Sequence, residues 1–484
     1  GKPSSPSSPL GGALDLLLRP RPRPPRGSAS AAPAATAAAG APRALSSRAR
    51  EAVDLLLRCP PPIRIEFEQV SALLEVFDGN ENDENDGNAA ATPSAALEEL
   101  FSAARQSRDS SSQNSSSSPL LLPHSRLCTF SPKAFLPVTR LCSDECGYCS
   151  FASHSGPPPN RRAFMSLEEV LETAAVAASV GATEALFTLG DRPEVRWPEA
   201  KAELRTLSEL HGQEFASTPA YVSFLCSQIL KSNSSPGILL PHSNAGLTTP
   251  EETRLLRTTT VSQGLMLETT ATGERLKMAH NPQASPSKNP NLRLAWLAEA
   301  GRARVPTTSG LLVGIGETRR ERLETLLALR DIHCGGERSS GGAGGESENF
   351  SAGGGGGHLQ EIIVQPFQPK KGTRMGDLDR PPPSASELLW TVAVARLVMG
   401  PAVGVQSPPN LSPVLPWLSA RKKKSSFSSP SSLASPSSSF ARDERDAIAS
   451  WRVLLRAGAD DFGGVRVELE LEFRGREEEE EGKR

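Results

Sequence analysis

The 484-residue chain has no run of about 18 or more apolar residues, which leaves no segment for a membrane-spanning helix. Net charge is also small, −2 at pH 7, so no global field draws the protein to nucleic acid or to an anionic membrane. Apolar content, at 37%, falls below the globular norm, while 40 Gly and 42 Pro add turns and linkers. The deficit is local. Residues 79–94 are rich in Asn and acids, 107–118 are mostly Ser, and 335–357 are Gly-rich. Residues 421–439 open with Arg421-Lys422-Lys423-Lys424 and continue as Ser and Pro, and Glu477–Glu481 is an acidic run. Such stretches cannot bury enough apolar surface to offset chain entropy. The composition therefore predicts a soluble, intracellular protein with one packed core interrupted by low-complexity inserts.

The chain starts at Gly1, which reads as a fragment or a processed form. Residues 1–50 are rich in Ala, Ser, Pro and Arg, with Asp15 the only acid. This resembles a transit peptide for a plastid or mitochondrion, and equally a disordered tail. The expected division is an N-terminal extension with a short helical segment over 1–126, a barrel domain over 127–465, and a charged tail over 466–484.

Short apolar runs alternate with longer helical patterns. Strands are expected at Phe135–Thr139, Ala185–Leu189, Gly237–Pro241, Gly264–Glu268, Thr308–Gly314, Glu361–Pro366 and Val403–Ser407. Between them lie helices such as Ser166–Val180, where Leu167, Val170, Leu171, Ala174 and Ala178 form one apolar face. Ser166 and Glu169 make a capping-box pattern at its start. The rhythm predicts an α/β fold of parallel strands and helical crossovers, a partial or full (β/α) barrel. Its chemistry belongs at the C-terminal ends of the strands.

Of seven cysteines, Cys142, Cys146 and Cys149 fall in one C-x3-C-x2-C segment. The count is odd and the rest are scattered, which argues against a disulfide framework. Three thiolates in one loop can hold three irons of a [4Fe–4S] cubane and leave the fourth open. S-adenosylmethionine can chelate the open iron, and electron transfer into its sulfonium releases a 5′-deoxyadenosyl radical. A zinc knuckle with His154 or Cys128 as fourth ligand is the competing reading, but no second ligand pair is present. A redox C-x-x-C pair is a further one.

Other strand ends carry polar groups. Gly190 permits close backbone approach. Asp191 and Glu194 can accept hydrogen bonds from an ammonium group, and Arg192 can pair with a carboxylate. His242 and Asn244 follow the third strand, and Glu268 ends the fourth. Gly314-Ile315-Gly316-Glu317 follows the fifth and suits packing along an adenine, or a simple turn. Gln365, Gln406 and Asn410 end later strands and can contact a heteroaromatic substrate.

Taken together these segments resemble the ring-closing radical-SAM half of FO synthase, the 7,8-didemethyl-8-hydroxy-5-deazariboflavin synthase family. The resemblance runs over roughly 127–465 and is most specific at Glu184-Ala-Leu-Phe-Thr-Leu-Gly-Asp-Arg-Pro-Glu194 and Gln406-Ser-Pro-Pro-Asn410-Leu. It implies closure of a deazaflavin ring on an adduct of a 4-hydroxybenzyl group and a ribityl-substituted diaminouracil, with loss of ammonia. It implies a [4Fe–4S] cluster on the three cysteines. The S-adenosylmethionine site would be lined by Tyr148, Gly190, Asp191, Glu194, Glu268, Gly314, Gly316 and Glu317. Substrate contacts would come from Arg192, His242, Asn244, Gln365, Gln406 and Asn410; no catalytic base is indicated. A reductant protein such as ferredoxin or flavodoxin, and the companion adduct-forming half, are the implied partners. The chain departs from the family after His280, where Asn281-Pro-Gln-Ala-Ser-Pro-Ser-Lys288 replaces an aromatic followed by Gly-Ser-Pro-Asp-Lys. Pro366 and Gln368 stand where Asn and Arg are usual, and the segment after Gly464 differs. The adduct-forming partner, a non-catalytic metal-binding protein and an inactive paralogue are the alternatives.

Overall fold

Capping boxes punctuate this chain. Ser166 with Glu169, Thr249 with Glu252 and Thr318 with Glu321 each satisfy a helix start reciprocally, and each such helix leads to a short strand. The computed structural model describes residues 44–61, 63–76, 95–110, 128–153, 156, 162–232, 238–335, 357–408 and 450–466. Among these, the strands are β1 (Thr129–Thr139), β2 (Glu184–Leu189), β3 (Leu240–Asn244), β4 (Ser262–Gly264), β5 (Thr307–Val313), β6 (Leu359–Pro366), β7 (Gly404–Gln406) and β8 (Asp461–Arg466). Each pairs parallel with the next, and β8 pairs with β1 to close the barrel. The expected (β/α) barrel is thus a full one. The low-complexity stretches 79–94, 421–439 and Glu477–Glu481, with most of 107–118 and 335–357, lie outside the described residues, as do 1–43.

Ala134, Leu136 and Val138 of β1 are buried in the apolar layer shared with the surrounding helices. By the period-2 alternation of a strand, Lys133, Phe135 and Pro137 therefore face the lumen. Phe135 is 44% exposed, so the lumen is open at that level. No helix among the described residues is long and apolar enough to cross a membrane.

Two strands sit elsewhere than their apolar runs indicate. The third was expected at Gly237–Pro241 but forms over Leu240–Asn244. Its register with β2, from Glu184↔Leu240 to Thr188↔Asn244, carries the polar His242-Ser-Asn244 into the ladder. The fourth was expected at Gly264–Glu268 but forms over Ser262–Gly264. The backbone then leaves the ladder and returns at an isolated bridge between Glu268 and Leu311, with Glu268 at φ 65°.

Among the described residues ahead of 127 the longer helices are α1 (Ser47–Arg58) and α2 (Ala95–Asp109), with a short helical stretch over 67–75 between them. Their apolar faces share one core with α8 (Arg319–His333) and α9 (Ala385–Met399); α3 (Leu167–Ser179), α4 (Pro198–His211), α5 (Thr218–Ser232), α6 (Pro250–Arg257) and α7 (Pro290–Arg302) complete the helices named here. The Trp390 indole donates to Leu73 O at 3.2 Å. The buried Arg330 guanidinium donates to the carbonyls of Cys59, Ile63 and Val398. Between α8 and β6, Gly357 N donates to His333 O at 2.7 Å, so the two ends of that connection meet.

Barrel closure rests on one buried cation. Arg396 of α9 donates to Gly458 O, Gly400 O and Val403 O at 2.7–2.9 Å and pairs with Asp460 at 2.5 Å. Asp460 in turn accepts from Val405 N, tying β7 to the start of β8. Arg396→Ala strips a buried pair and three carbonyls of their partner. It is expected to cost about 3–5 kcal/mol, read as a lower thermal midpoint with early proteolysis at 450–466.

Candidate active site

The cysteine loop follows β1 and is held by backbone contacts from several directions. Asp144 N and Asp191 N donate to Cys142 Sγ at 3.4 and 3.1 Å, and Ala152 N donates to Cys149 Sγ at 3.4 Å. Glu145 N donates to Ala284 O and Gly147 N to Ala279 O. The Trp197 indole donates to Cys142 O at 3.0 Å. Asp144 accepts from Ser287 through both its backbone and its hydroxyl. Burial pushes the Cys142 thiol up to about 12, against the two backbone donors, and burial likewise raises Cys146.

Beside the loop lies a buried polar network. The Tyr148 hydroxyl sits 2.9 Å from His280 Nε2 and 3.3 Å from Glu268 Oε1, and Lys288 Nζ reaches the same Glu268 oxygen at 2.9 Å. Burial opposes the charged form of Glu268, but the cations of Lys288 and Arg293 outweigh it and hold its carboxyl below the ordinary range. Burial, helped by Lys288, takes His280 down to about 3, so its imidazole is neutral. Arg293 donates to Met266 O at 2.5 Å and to Ser287 O at 3.1 Å, fastening this segment to the strand end.

The anticipated residues separate into groups. Asp191 is 7% exposed, and its Oδ2 accepts from Leu247 N while Oδ1 is buried with no partner. Burial raises its carboxyl. Gly190 packs against protein: a Cβ there would lie 1.9 Å from Leu141 O and 2.8 Å from Cys142 Cβ. Glu194 gives both oxygens to Thr218 at the start of α5. Arg192, at φ 37°, donates to Leu247 O and pairs with Glu252 at the start of α6. Gly314 and Gly316 have φ of 97° and 123°, and Glu317 folds back to accept from Gly314 N and Ile315 N while meeting Arg322 at 3.1 Å. Glu194, Arg192 and Glu317 are thus engaged in holding the scaffold. Asn410 lies outside the described residues.

Lower in the lumen, His242 bridges Ser262 Oγ at 2.6 Å and Asn244 Oδ1 at 3.2 Å, and burial pushes its imidazole below the ordinary range. Gln365 is exposed on β6. The Gln406 side-chain amide lies 2.8 Å from Glu361, and the orientation that satisfies both groups has its nitrogen donating to that carboxyl. Burial and the neighbouring Asp461 raise Glu361 to about 8, with Lys133 opposing. Lys133 pairs with Glu184 at 3.0 Å. Lys133 and Glu361 of this floor, like His280, Lys288 and Arg293, were not singled out by motif, whereas His242, Asn244, Gln365 and Gln406 were. Lys288 does close the segment after His280 where the chain departs from the family pattern.

A model of the Radical SAM superfamily matches residues 136–329, which takes in the cysteine loop and the strands through β5. A 7,8-didemethyl-8-hydroxy-5-deazariboflavin synthase from Methanopyrus kandleri is 40% identical over 286 residues, covering 59% of this chain and 75% of that protein. The chain belongs to this family. The FO synthase of Streptomyces avermitilis is 42% identical over 287 residues, and that of Mycobacterium tuberculosis 40% over 294. These cover 58% and 60% of this chain, which spans 29% and 30% of the two FO synthases. Among solved structures, methylornithine synthase aligns over 87% of this chain and 88% of its own at 15% identity, with a TM-score of 0.51, a likeness of fold.

The superfamily implies a [4Fe–4S] cluster and S-adenosylmethionine, and the residues present fit them. Three free thiols share one loop, and backbone N–H groups already point at two of the sulfurs, a recognised means of tuning cluster potential. Among the described residues no three His, Cys, Asp or Glu come together as ligands of a single metal ion; His154, one of the fourth ligands weighed for zinc, lies outside them. Burial keeps Cys142 and Cys146 protonated by themselves, whereas a bound cation deprotonates a coordinating thiol outright. The free Asp191 oxygen adjoins this loop, since Asp191 N reaches Cys142 Sγ.

Two outcomes follow. Gly190→Ala drives a methyl into Leu141 and Cys142, so reconstituted protein is expected to hold less iron per chain than wild type by elemental analysis, with the fold retained by circular dichroism. Glu361 holds a proton in the folded state that the unfolded chain, at its ordinary value of 4.5, releases. Stability therefore falls as pH rises from about 4.5 towards about 8. Glu361→Gln is expected to flatten that decline and, allowing for screening by the open lumen, to stabilise by about 1 kcal/mol at high pH. Thermal midpoints at several pH values check it; an unchanged slope would show that Glu361 ionises normally.

Proposed function

We propose that this chain is the ring-closing half of deazaflavin synthesis: a carbon–nitrogen lyase forming 7,8-didemethyl-8-hydroxy-5-deazariboflavin from the 4-hydroxybenzyl adduct of a ribityl-substituted diaminouracil, with loss of ammonia. The observation that carries the reading is the 40% identity to a protein of that name across 75% of its length, beside three free cysteines in one loop after β1. When bound, the cluster and S-adenosylmethionine supply a hydrogen-abstracting 5′-deoxyadenosyl radical. Cys142, Cys146 and Cys149 hold the irons. Asp191 offers its free Oδ1 to the methionyl ammonium. Glu268, kept ionised by Lys288 and Arg293, offers acceptor oxygens near Tyr148 for the ribose. Asn244, His242, Gln365 and Gln406 face the lumen where the adduct would lie, and the apolar cap over Tyr148 excludes water. A ferredoxin- or flavodoxin-type reductant and the companion adduct-forming half are the partners this function requires.

The test is anaerobic reconstitution with iron and sulfide, followed by S-adenosylmethionine, a reductant and purified adduct. Deazaflavin fluorescence and 5′-deoxyadenosine are the expected products, and Cys146→Ala should abolish both. Asp191→Asn should weaken S-adenosylmethionine binding about tenfold or more while leaving iron content unchanged. 5′-Deoxyadenosine without deazaflavin would direct the assignment to the adduct-forming reaction. Failure of both in a fully loaded cluster protein would overturn the enzyme reading.

A further inference from the structure

The segment after β6 crosses the cysteine loop. Phe367 N donates to Val313 O and Met375 N to Gly147 O, both at 2.8 Å, and Arg380 Nε donates to Gly314 O at 3.3 Å. Phe367 and Met375 join Leu276, Ile315, Met278 and Tyr148 in an apolar cap. The inner side of this segment therefore closes over the residues between Cys146 and Cys149. Its outer side is different in character. Lys370, Lys371 and Arg374 are exposed, and none of them makes an ion pair among the described residues. Leu378 stands in the same turn with 61% of its surface exposed.

These cations are held in place by the backbone that carries them. Thr373 Oγ1 accepts from Gly376 N at 3.1 Å and donates to Lys370 O at 2.7 Å. A Cβ on Gly376 would lie 2.0 Å from Lys370 O, so the turn is tightly wound. Asp377 accepts from Gly372 N at 2.8 Å and is spent on the same turn. Over Lys370–Arg380 four basic side chains stand against Asp377 and Asp379. A preset cluster of cations around one exposed apolar residue is the form of a surface that steers an oppositely charged protein and then seats it. Its position decides which protein. Cys146 is buried to 9% exposure, and its neighbour Gly147 accepts directly from Met375 N of this segment.

We propose that Lys370, Lys371, Arg374 and Leu378 form the docking face for a small acidic one-electron carrier protein, which delivers its electron across the Met375–Gly147 contact. The inference rests on the cluster reading of the cysteine loop and does not depend on which ring or adduct is made. The step is one electron: the carrier is oxidised by one, the cluster is reduced by one, and no atom or proton is transferred.

The experiment follows cluster reduction in the reconstituted full chain by loss of its visible absorbance, with a reduced acidic ferredoxin as donor. Raising salt from about 50 to 300 mM should slow reduction severalfold, since screening shortens the reach of the cations. Lys370→Glu/Lys371→Glu/Arg374→Glu should slow it about tenfold or more and should weaken ferredoxin binding to the cluster-free protein in calorimetry. Reduction by dithionite at high salt, where its own charge is screened, should match wild type. Lys370→Arg/Lys371→Arg/Arg374→Lys should keep the wild-type rate with ferredoxin. Salt-independent reduction, or equal ferredoxin rates in the reversed and wild-type proteins, would overturn the proposal. So would loss of iron or of the dithionite rate in the reversed variant, because the three cations would then serve the fold. Absent deazaflavin with these effects intact would count against the ring-closing function alone.

Discussion

The contact between the end of β2 and the cysteine loop is the constraint on which the site depends. Gly190 lies so close to Leu141 and Cys142 that no side chain fits, and this closeness brings Asp191 N within reach of Cys142 Sγ. Everything else is arranged around that approach. The segment 279–287 grips the loop from the other side through Ala279, Ala284 and Ser287, and Trp197 closes the remaining edge. The cysteine loop is held by main chain from the end of β2, from 279–287 and, through Met375 N, from the segment after β6, and main-chain geometry varies little with side-chain chemistry.

Burial governs the electrostatics. Around Glu268 it is overcome, since Lys288 and Arg293 preserve a carboxylate that would otherwise be neutral. Around Glu361 it prevails, because Asp461 adds like charge and Lys133 is already paired with Glu184. One barrel therefore holds an ionised carboxylate by the cysteine loop and a protonated one near the strand beginnings. The two environments differ by which cation is nearby and uncommitted.

Much of this was legible in the sequence, for physical reasons that differ by residue. The cysteine loop and the barrel rhythm are local patterns, in which spacing and periodicity carry the information. Asp191 and Glu268 were named because strand ends are where a barrel places chemistry, and the fold sets both against the cysteine loop. His280, Lys288 and Arg293 were not, since Tyr148 meets His280 across 132 positions and no periodicity reports such a meeting. Arg192, Glu194 and Glu317 carry the charges a ligand site needs, yet neighbouring helix starts and turns claim them. The boundaries of β3 and β4 moved because register with β2 and β5, not local apolar content, sets where a ladder begins. The eighth strand came with Arg396, whose three carbonyl partners lie on either side of a long intervening stretch.

The connection between α8 and β6 has a consequence for how such a chain can vary. Gly357 N closes onto His333 O, so the helix end and the strand start are brought together by the last helical residue and the last residue of the Gly-rich stretch. The entropic cost of a closed loop grows only logarithmically with its length. Residues added between those ends lengthen a loop whose closing contact is already made. Length between His333 and Gly357 is therefore a weak determinant of stability, which suits this connection to carrying an affinity tag or a fluorescent reporter.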